Sequence, residues 1–180
     1  MKNIIVMLLL MCSTSAKAQV QSVSIQASGL TCSMCSNAIR KALESDASVL
    51  EVKANIKNSS FDVRFKPLAT IDFDGLKHKV EEAGFFVARF DVRYHVDHLP
   101  LTPDAHVKLN GYLFHVLNTT ERTMGGDVQF QILDRGFVTA KEYKKNARLT
   151  QMTCYQTGQT SSCCVGKQMP VGNRIYHIQF

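Results

Sequence analysis

The sequence predicts an α+β protein in two parts, and three observations carry the prediction. Apolar residues alternate with polar ones in four short runs between residues 21 and 92. Two stretches of helical spacing interrupt them, giving the order strand, helix, strand, strand, helix, strand. Past residue 105 the alternation returns around a single helical stretch, so the second part reads as strand-rich.

Each element has a local reason. Val23 and Ile25 alternate with polar neighbours as a half-buried strand does, and Gly29 then breaks the run. Cys35, Ala38, Ile39, Ala42 and Leu43 fall at the spacing of an amphipathic helix. Val52 and Ala54 mark a second strand, Asn58-Ser59-Ser60 a turn, and Phe61, Val63 and Phe65 a third strand that Pro67 ends. A second helix is expected over 72–83, burying Phe73, Leu76 and Val80 and stopping at Gly84. Phe86, Ala88, Phe90 and Val92 then share one face of a fourth strand, with Arg89 and Asp91 on the other. This βαββαβ order is the split βαβ, or ferredoxin-like, arrangement, expected over residues 19–92.

Residues 93–104 read as a linker, with Pro100 and Pro103 around Leu101-Thr102. Within 105–180 the expectations are a strand over 107–117 carrying Gly111, a hairpin-like turn at Met124-Gly125-Gly126-Asp127, and a strand over 128–133. A helix over 140–149 and a last strand over 174–180 complete them. A small OB-like barrel fits that order, as does a small sandwich. The cluster Lys141, Lys144, Lys145 and Arg148 reads as the wet face of the helix.

The first 18 residues have the form of a signal peptide. Lys2 is a basic start, residues 4–11 are a short apolar run, and Ala16-Lys17-Ala18 is a small-x-small cleavage signal. Cleavage there removes Lys2 and Lys17 and no acid, taking the formal charge from +6 to +4. An apolar run this short does not span a hydrocarbon core of about 30 Å, and no other stretch does. Cys12 as a lipid anchor is the alternative, though Met11 before it is larger than such sites favour. The expected location is outside the inner membrane, in a bacterial periplasm. The mild charge gathers into no nucleic-acid footprint. No Ser-His-Asp grouping, phosphate loop or paired acid site stands out, so an enzyme is not expected.

The chemistry concentrates in Gly29-Leu30-Thr31-Cys32-Ser33-Met34-Cys35-Ser36. Cysteines two residues apart turn both sulfurs toward one point. The first lies in a loop and the second opens a helix, whose unpaired N–H groups and partial positive charge favour thiolate. Thiolate is the form that binds metal. Two thiolates with no His or carboxylate nearby suit a soft ion: Cu(I) accepts low coordination by sulfur, Hg(II) follows the same softness, and Zn(II) takes four ligands. Cys-x-x-Cys alone also occurs in redox pairs and structural disulfides. The aromatic and proline that accompany a thioredoxin-type pair are missing here. The Met34 thioether is a further candidate donor.

The surrounding residues resemble the heavy-metal-associated domain family. Gly29-Leu30-Thr31-Cys32-Ser33-Met34-Cys35 differs by one residue, Leu30 for Met, from the family's Gly-Met-Thr-Cys-x-x-Cys. Val49-x-x-Val52-x-Ala54-Asn55-Ile56 and Val63-x-Phe65 resemble its second and third strands, and Glu82-Ala83-Gly84-Phe85 the end of its second helix. The resemblance spans residues 22–92. It implies Cu(I) held by Cys32 and Cys35 and passed by ligand exchange to another metal-binding protein or a membrane metal transporter. A periplasmic mercury-binding member of the family keeps Hg(II) in view. In the family the residue at position 30 packs beneath the loop, so Leu30 should serve. Phe85 stands where bacterial members carry Tyr, which removes a hydroxyl near the site.

Cys154, Cys163 and Cys164 form a second group, with Met152, Met169 and His177 near in sequence. A disulfide from Cys154 to Cys163 or Cys164 would close a short loop and contribute about 2–3 kcal/mol. A second metal site and a redox pair serving Cys32 and Cys35 are the other readings. Five cysteines remain after cleavage, an odd number, so at least one is unpaired, metal-bound or shared. His95 and His98 would not share a face of a strand, and His78, His106, His115 and His177 read as ordinary surface or packed histidines.

Overall fold

A computed structural model describes residues 19–30, 32–165 (165 by backbone alone) and 170–180. The expected leader with Cys12, and Met169, lie outside the described residues.

Strand β1 (Gln19–Ser28) buries Val23, Ile25 and Ala27, and Gly29 leaves it at φ +82°. Helix α1 (Ser33–Glu44) buries Ser36, Ile39 and Leu43. Ile39 and Leu43 are buried as the spacing predicts and Cys35 and Ala42 half-buried, while Ser36 joins the buried stripe and Ala38 faces solvent. Strands β2 (Val49–Asn55) and β3 (Ser60–Phe65) are joined through a short 3₁₀ turn and Ser59 at φ +51°. Helix α2 (Phe73–Glu82) buries Phe73, Leu76 and Val80, as its periodicity predicts. It closes with Gly84 N–H on Glu81 O and Phe85 N–H on Val80 O, which places Gly84 at φ +88°. The order β2-β3-β1-β4 with antiparallel neighbours is the ferredoxin-like unit.

Strand β4 (Phe86–Leu101) departs from expectation at both ends. Opposite Gln26 and Ala27 the register slips by one residue, leaving Ala88 as the extra residue of a bulge. Val87 is therefore buried and Phe86 is exposed, the reverse of simple alternation. At the other end the stretch expected as a linker, 93–104, is strand as far as Leu101, with Tyr94, Val96, Leu99 and Leu101 buried. Pro100 is tolerated because, among the described residues, the pairing with β1 reaches only to His95 and beyond it β4 pairs with a neighbour on one side alone.

That neighbour is β7 (Arg122–Ile132), and the sheet runs on through β8 (Ile175–Gln179), β6 (Tyr112–Val116) and β5 (His106–Leu109). The result is one eight-stranded sheet, β2-β3-β1-β4-β7-β8-β6-β5, with β6 and β8 parallel and the other neighbours antiparallel. The OB-like barrel expected is not what the described residues form: they make an open sheet with β2 and β5 at its two edges. Two glycine signals have meanings other than those expected. Residues 107–117 are a β5–β6 hairpin turned by Asn110 (φ +46°) and Gly111 (φ +86°), the two-residue turn that follows strand twist. Gly125 and Gly126 lie inside β7, where a Cβ on Gly125 would sit 3.1 Å from the Asp97 carbonyl oxygen across a bulge in β4.

The halves share one core. Phe73 of α2 meets Phe90 at 6.0 Å, Tyr112 at 5.0 Å and Tyr176 at 5.3 Å between ring centroids. The opposite face of β6 and β8 is covered by the chain after β7. That chain holds α3 (Ala140–Asn146), capped by the Thr139–Glu142 capping box, and the single turns α4 (Cys154–Thr157) and α5 (Ser162–Val165). Lys141, Lys144, Lys145 and Arg148 are exposed, as expected of a wet helix face. Among the described residues no helix is long and apolar enough to cross a membrane.

Arg174 ties the last strand to α2. Its guanidinium donates to Asp74 at 2.7 and 3.3 Å and to Asp134 at 3.1 Å, and lies 4.1 Å from the Tyr176 ring centroid. Arg174→Ala should destabilise the chain by about 2–3 kcal/mol, the figure for breaking a buried pair discounted for partial exposure. Burial would push the Asp74 carboxyl up, but Arg174 and the Tyr176 hydroxyl hold it below its usual range. A depressed carboxyl stabilises fully above its unfolded pKa, and the effect is lost as pH falls through the folded value. The wild-type advantage should therefore shrink below about pH 4, read by urea unfolding of both proteins across pH.

Candidate metal centre

Gly29 turns the chain out of β1, and Leu30 packs against the core beneath the loop, as the resemblance implies. Cys32 follows in extended backbone and is the N-cap of α1. Its Sγ accepts the Cys35 backbone N–H at 3.2 Å, a position where Ser, Thr, Asp or Asn ordinarily stand. Hydrogen bonding with the Cys35 side chain, then with its N–H, lowers the Cys32 thiol below its ordinary value; slight burial opposes, and the Met34 N–H adds to the lowering. Cys32 is exposed and Cys35 half-buried. Leu30, Ser33, Ser36, Ile56 and Ser59 line a shallow depression beside Cys32.

Among the described residues no third Cys, His or carboxylate gathers with this pair. Met34 is 82% exposed, its side chain turned to solvent. Phe85 packs on the core. A thiolate on a helix N-cap beside a second cysteine, open on one side, can hold a soft ion by two sulfurs and leave room for an incoming third.

The second cysteine group comes together in space. Cys154, Cys163 and Cys164 place their sulfurs within 4.8 Å of one another, with Cys163 and Cys164 at 3.6 Å and all three unbridged. Burial, then the neighbouring thiols, pushes Cys154 up, and burial does the same for Cys164. Burial also acts on Cys163, but hydrogen bonds led by the Ser161 hydroxyl at 3.1 Å overcome it and bring the thiol to about 6.

Spacing alone did not single out the histidines around this group. His106 pairs with His115 across β5–β6, and His115 with His177 across β6–β8, so the three form a row. His115 and His177 are fully buried beside Cys154. Burial, with His106 and His177 alongside, pushes His115 down to about 4, so it is neutral and donates to Asp104 as an ordinary hydrogen bond. His95 pairs with Asp127, and His98 lies beyond it near a bulge; neither joins a metal-ligand cluster.

The fold and the first site define a ferredoxin-like unit with a solvent-facing dithiol. Residues 24–86 match the model of the heavy-metal-associated domain family. Among solved structures the chain is similar to the yeast copper transporter domain Ccc2a, at 25% identity over 37% of this chain and 90% of that one, with a TM-score of 0.33. It is also similar to the CopZ metallochaperone, at 21% identity over 37% and 98%, TM-score 0.35. A third is oxidised MerP from Ralstonia metallidurans CH34, at 24% identity over 39% and 96%, TM-score 0.35. No curated protein sequence matches the chain.

Proposed function

We propose that this chain is an exported carrier of Cu(I), which it holds through Cys32 and Cys35 and releases by ligand exchange to another metal-binding protein or a membrane metal transporter. The observation that carries the reading is Cys32 as helix N-cap: one hydrogen bond both fixes the loop and stabilises the thiolate. It occurs inside the segment that matches a heavy-metal-associated domain. Two sulfurs without a third donor favour Cu(I), with Hg(II) second on the same softness and Zn(II) least, since zinc takes four ligands. The exposed Cys32 lets a partner's thiolate approach, and Met34 and Ile56, 82% and 66% exposed, give that partner apolar surface at the rim. The leader pattern supports a periplasmic location. The role is binding and transfer, without catalysis.

Anaerobic addition of Cu(I) to the reduced chain, followed by amide NMR, tests the reading. At saturation the amides of residues 32–36 and 56–59 should shift. If they stay fixed at saturation, the site is misplaced and the proposal fails.

A further inference from the structure

We propose that Cys154, Cys163 and Cys164 form a second soft-metal site, independent of Cys32 and Cys35, holding a d¹⁰ cation on three thiolates with His177 as the adjoining imidazole. The sulfurs lie within 4.8 Å of one another, with one pair at 3.6 Å. An ion with metal–sulfur bonds of about 2.3 Å in a trigonal plane needs sulfurs about 4.0 Å apart. Small side-chain rotations close the set.

The histidines are the second observation. His177 Nε2 stands 3.4 Å from Cys154 Sγ, while its Nδ1 donates to Asp134 at 3.1 Å. His115 repeats the pattern with the nitrogens exchanged: Nδ1 is 3.9 Å from the same sulfur and Nε2 donates to Asp104 at 3.1 Å. A carboxylate accepting from the far nitrogen fixes the tautomer, as it does behind metal-ligating histidines, and leaves the near nitrogen free to accept from the Cys154 thiol here and to turn to an ion once that thiol is deprotonated. Asp134 is itself buried and fixed by the His177 N–H and Arg174.

Plain core packing does not account for this. Three thiols and two carboxylate-backed imidazoles are concentrated at one place, inside a shell of Leu113, Ile175 and Met152. One disulfide would use two sulfurs and leave the third beside the imidazoles. Cys163 is partly exposed and gives the ion a way in, while Cys154 and Cys164 are closed off. Cu(I) fits the three thiolates alone, while Zn(II) would need His177, which stands against Cys154 and outside the three-sulfur group, to swing in as the fourth ligand.

The test uses the full chain with Cys32 and Cys35 both replaced by serine, reduced and kept anaerobic, with Cd(II) as the probe. One equivalent should bind, with the thiolate-to-cadmium absorption of three sulfurs. Cys163→Ser, at the partly exposed position where folding is least disturbed, should weaken binding by about 100-fold or more. Displacement by Zn(II) that depends on His177, read with His177→Gln, assigns zinc; displacement by Cu(I) indifferent to that change assigns Cu(I). Absence of a saturating equivalent, or binding untouched by Cys163→Ser in a folded variant, overturns the proposal. So does a Cys154–Cys163 or Cys154–Cys164 bridge in chain alkylated directly on cell lysis.

Discussion

Replacing both Cys32 and Cys35 by serine should remove Cu(I) binding at the first site while leaving the fold intact. Four-ligand thiolate and imidazole sites bind their ion by about 10–16 kcal/mol, or roughly 2.5–4 kcal/mol per ligand. Each cysteine lost should then cost about 100- to 1,000-fold in affinity, and two should abolish it. Serine is the right replacement for a structural reason. Cys32 caps α1 through its sulfur, and a serine hydroxyl makes the same bond to the Cys35 N–H, so the helix start survives. Alanine at 32 would add about 1 kcal/mol of lost cap and blur the result. The affinity is read locally, as the competing chelator needed to reverse the Cu(I)-induced amide shifts of residues 32–36. This keeps the reading separate from any ion held at Cys154, Cys163 and Cys164. Persistent shifts in the double variant would mean that the loop binds copper through other atoms.

The first site was legible because its parts are close in sequence. Gly29, the two cysteines and the stripe through Ile39 and Leu43 all belong to one strand–loop–helix, and local periodicity reports such units directly. The long β4 was hidden by its own chemistry. His98 and Pro100 do not look like strand, yet among the described residues Pro100 has no partner on the β1 side to disappoint, and the bulge near Asp97 absorbs a misfit in register. Asn110-Gly111 carried a plain hairpin signal, and reading 107–117 as one strand passed over it. Gly125-Gly126 carried a false one, since Gly125 answers to the close Asp97 carbonyl across the bulge and Gly126 to a positive φ of +79° within the strand. The histidine row has no local trace at all. His106, His115 and His177 meet because β6 pairs antiparallel with β5 and parallel with β8. Register between strands far apart in sequence decides that, and spacing does not encode it.

Phe73→Ala should cost about 3–5 kcal/mol, the usual range for emptying a buried phenylalanine site. Phe73 is fully buried, and its ring touches β4 through Phe90, β6 through Tyr112 and β8 through Tyr176. None of these elements can close on the cavity without pulling on the others, which sets the cost toward the upper end. The same contacts predict how the loss is distributed. Two independent domains would lose stability separately, and only the one containing Phe73 would melt early. Here the sheet is continuous from β2 to β5 and one core runs across it. Urea unfolding should therefore remain a single transition moved as a whole. All five tyrosines lie between Tyr94 and Tyr176, so their fluorescence follows the later strands. Amide signals of α1 and β2 follow the metal-binding end. Coincident shifts in both make the chain one cooperative unit, in which the Cys32–Cys35 loop depends on a strand that begins more than a hundred residues later. Separated midpoints would mean that β4 and β7 pair without coupling the halves, and that the metal-binding unit stands alone.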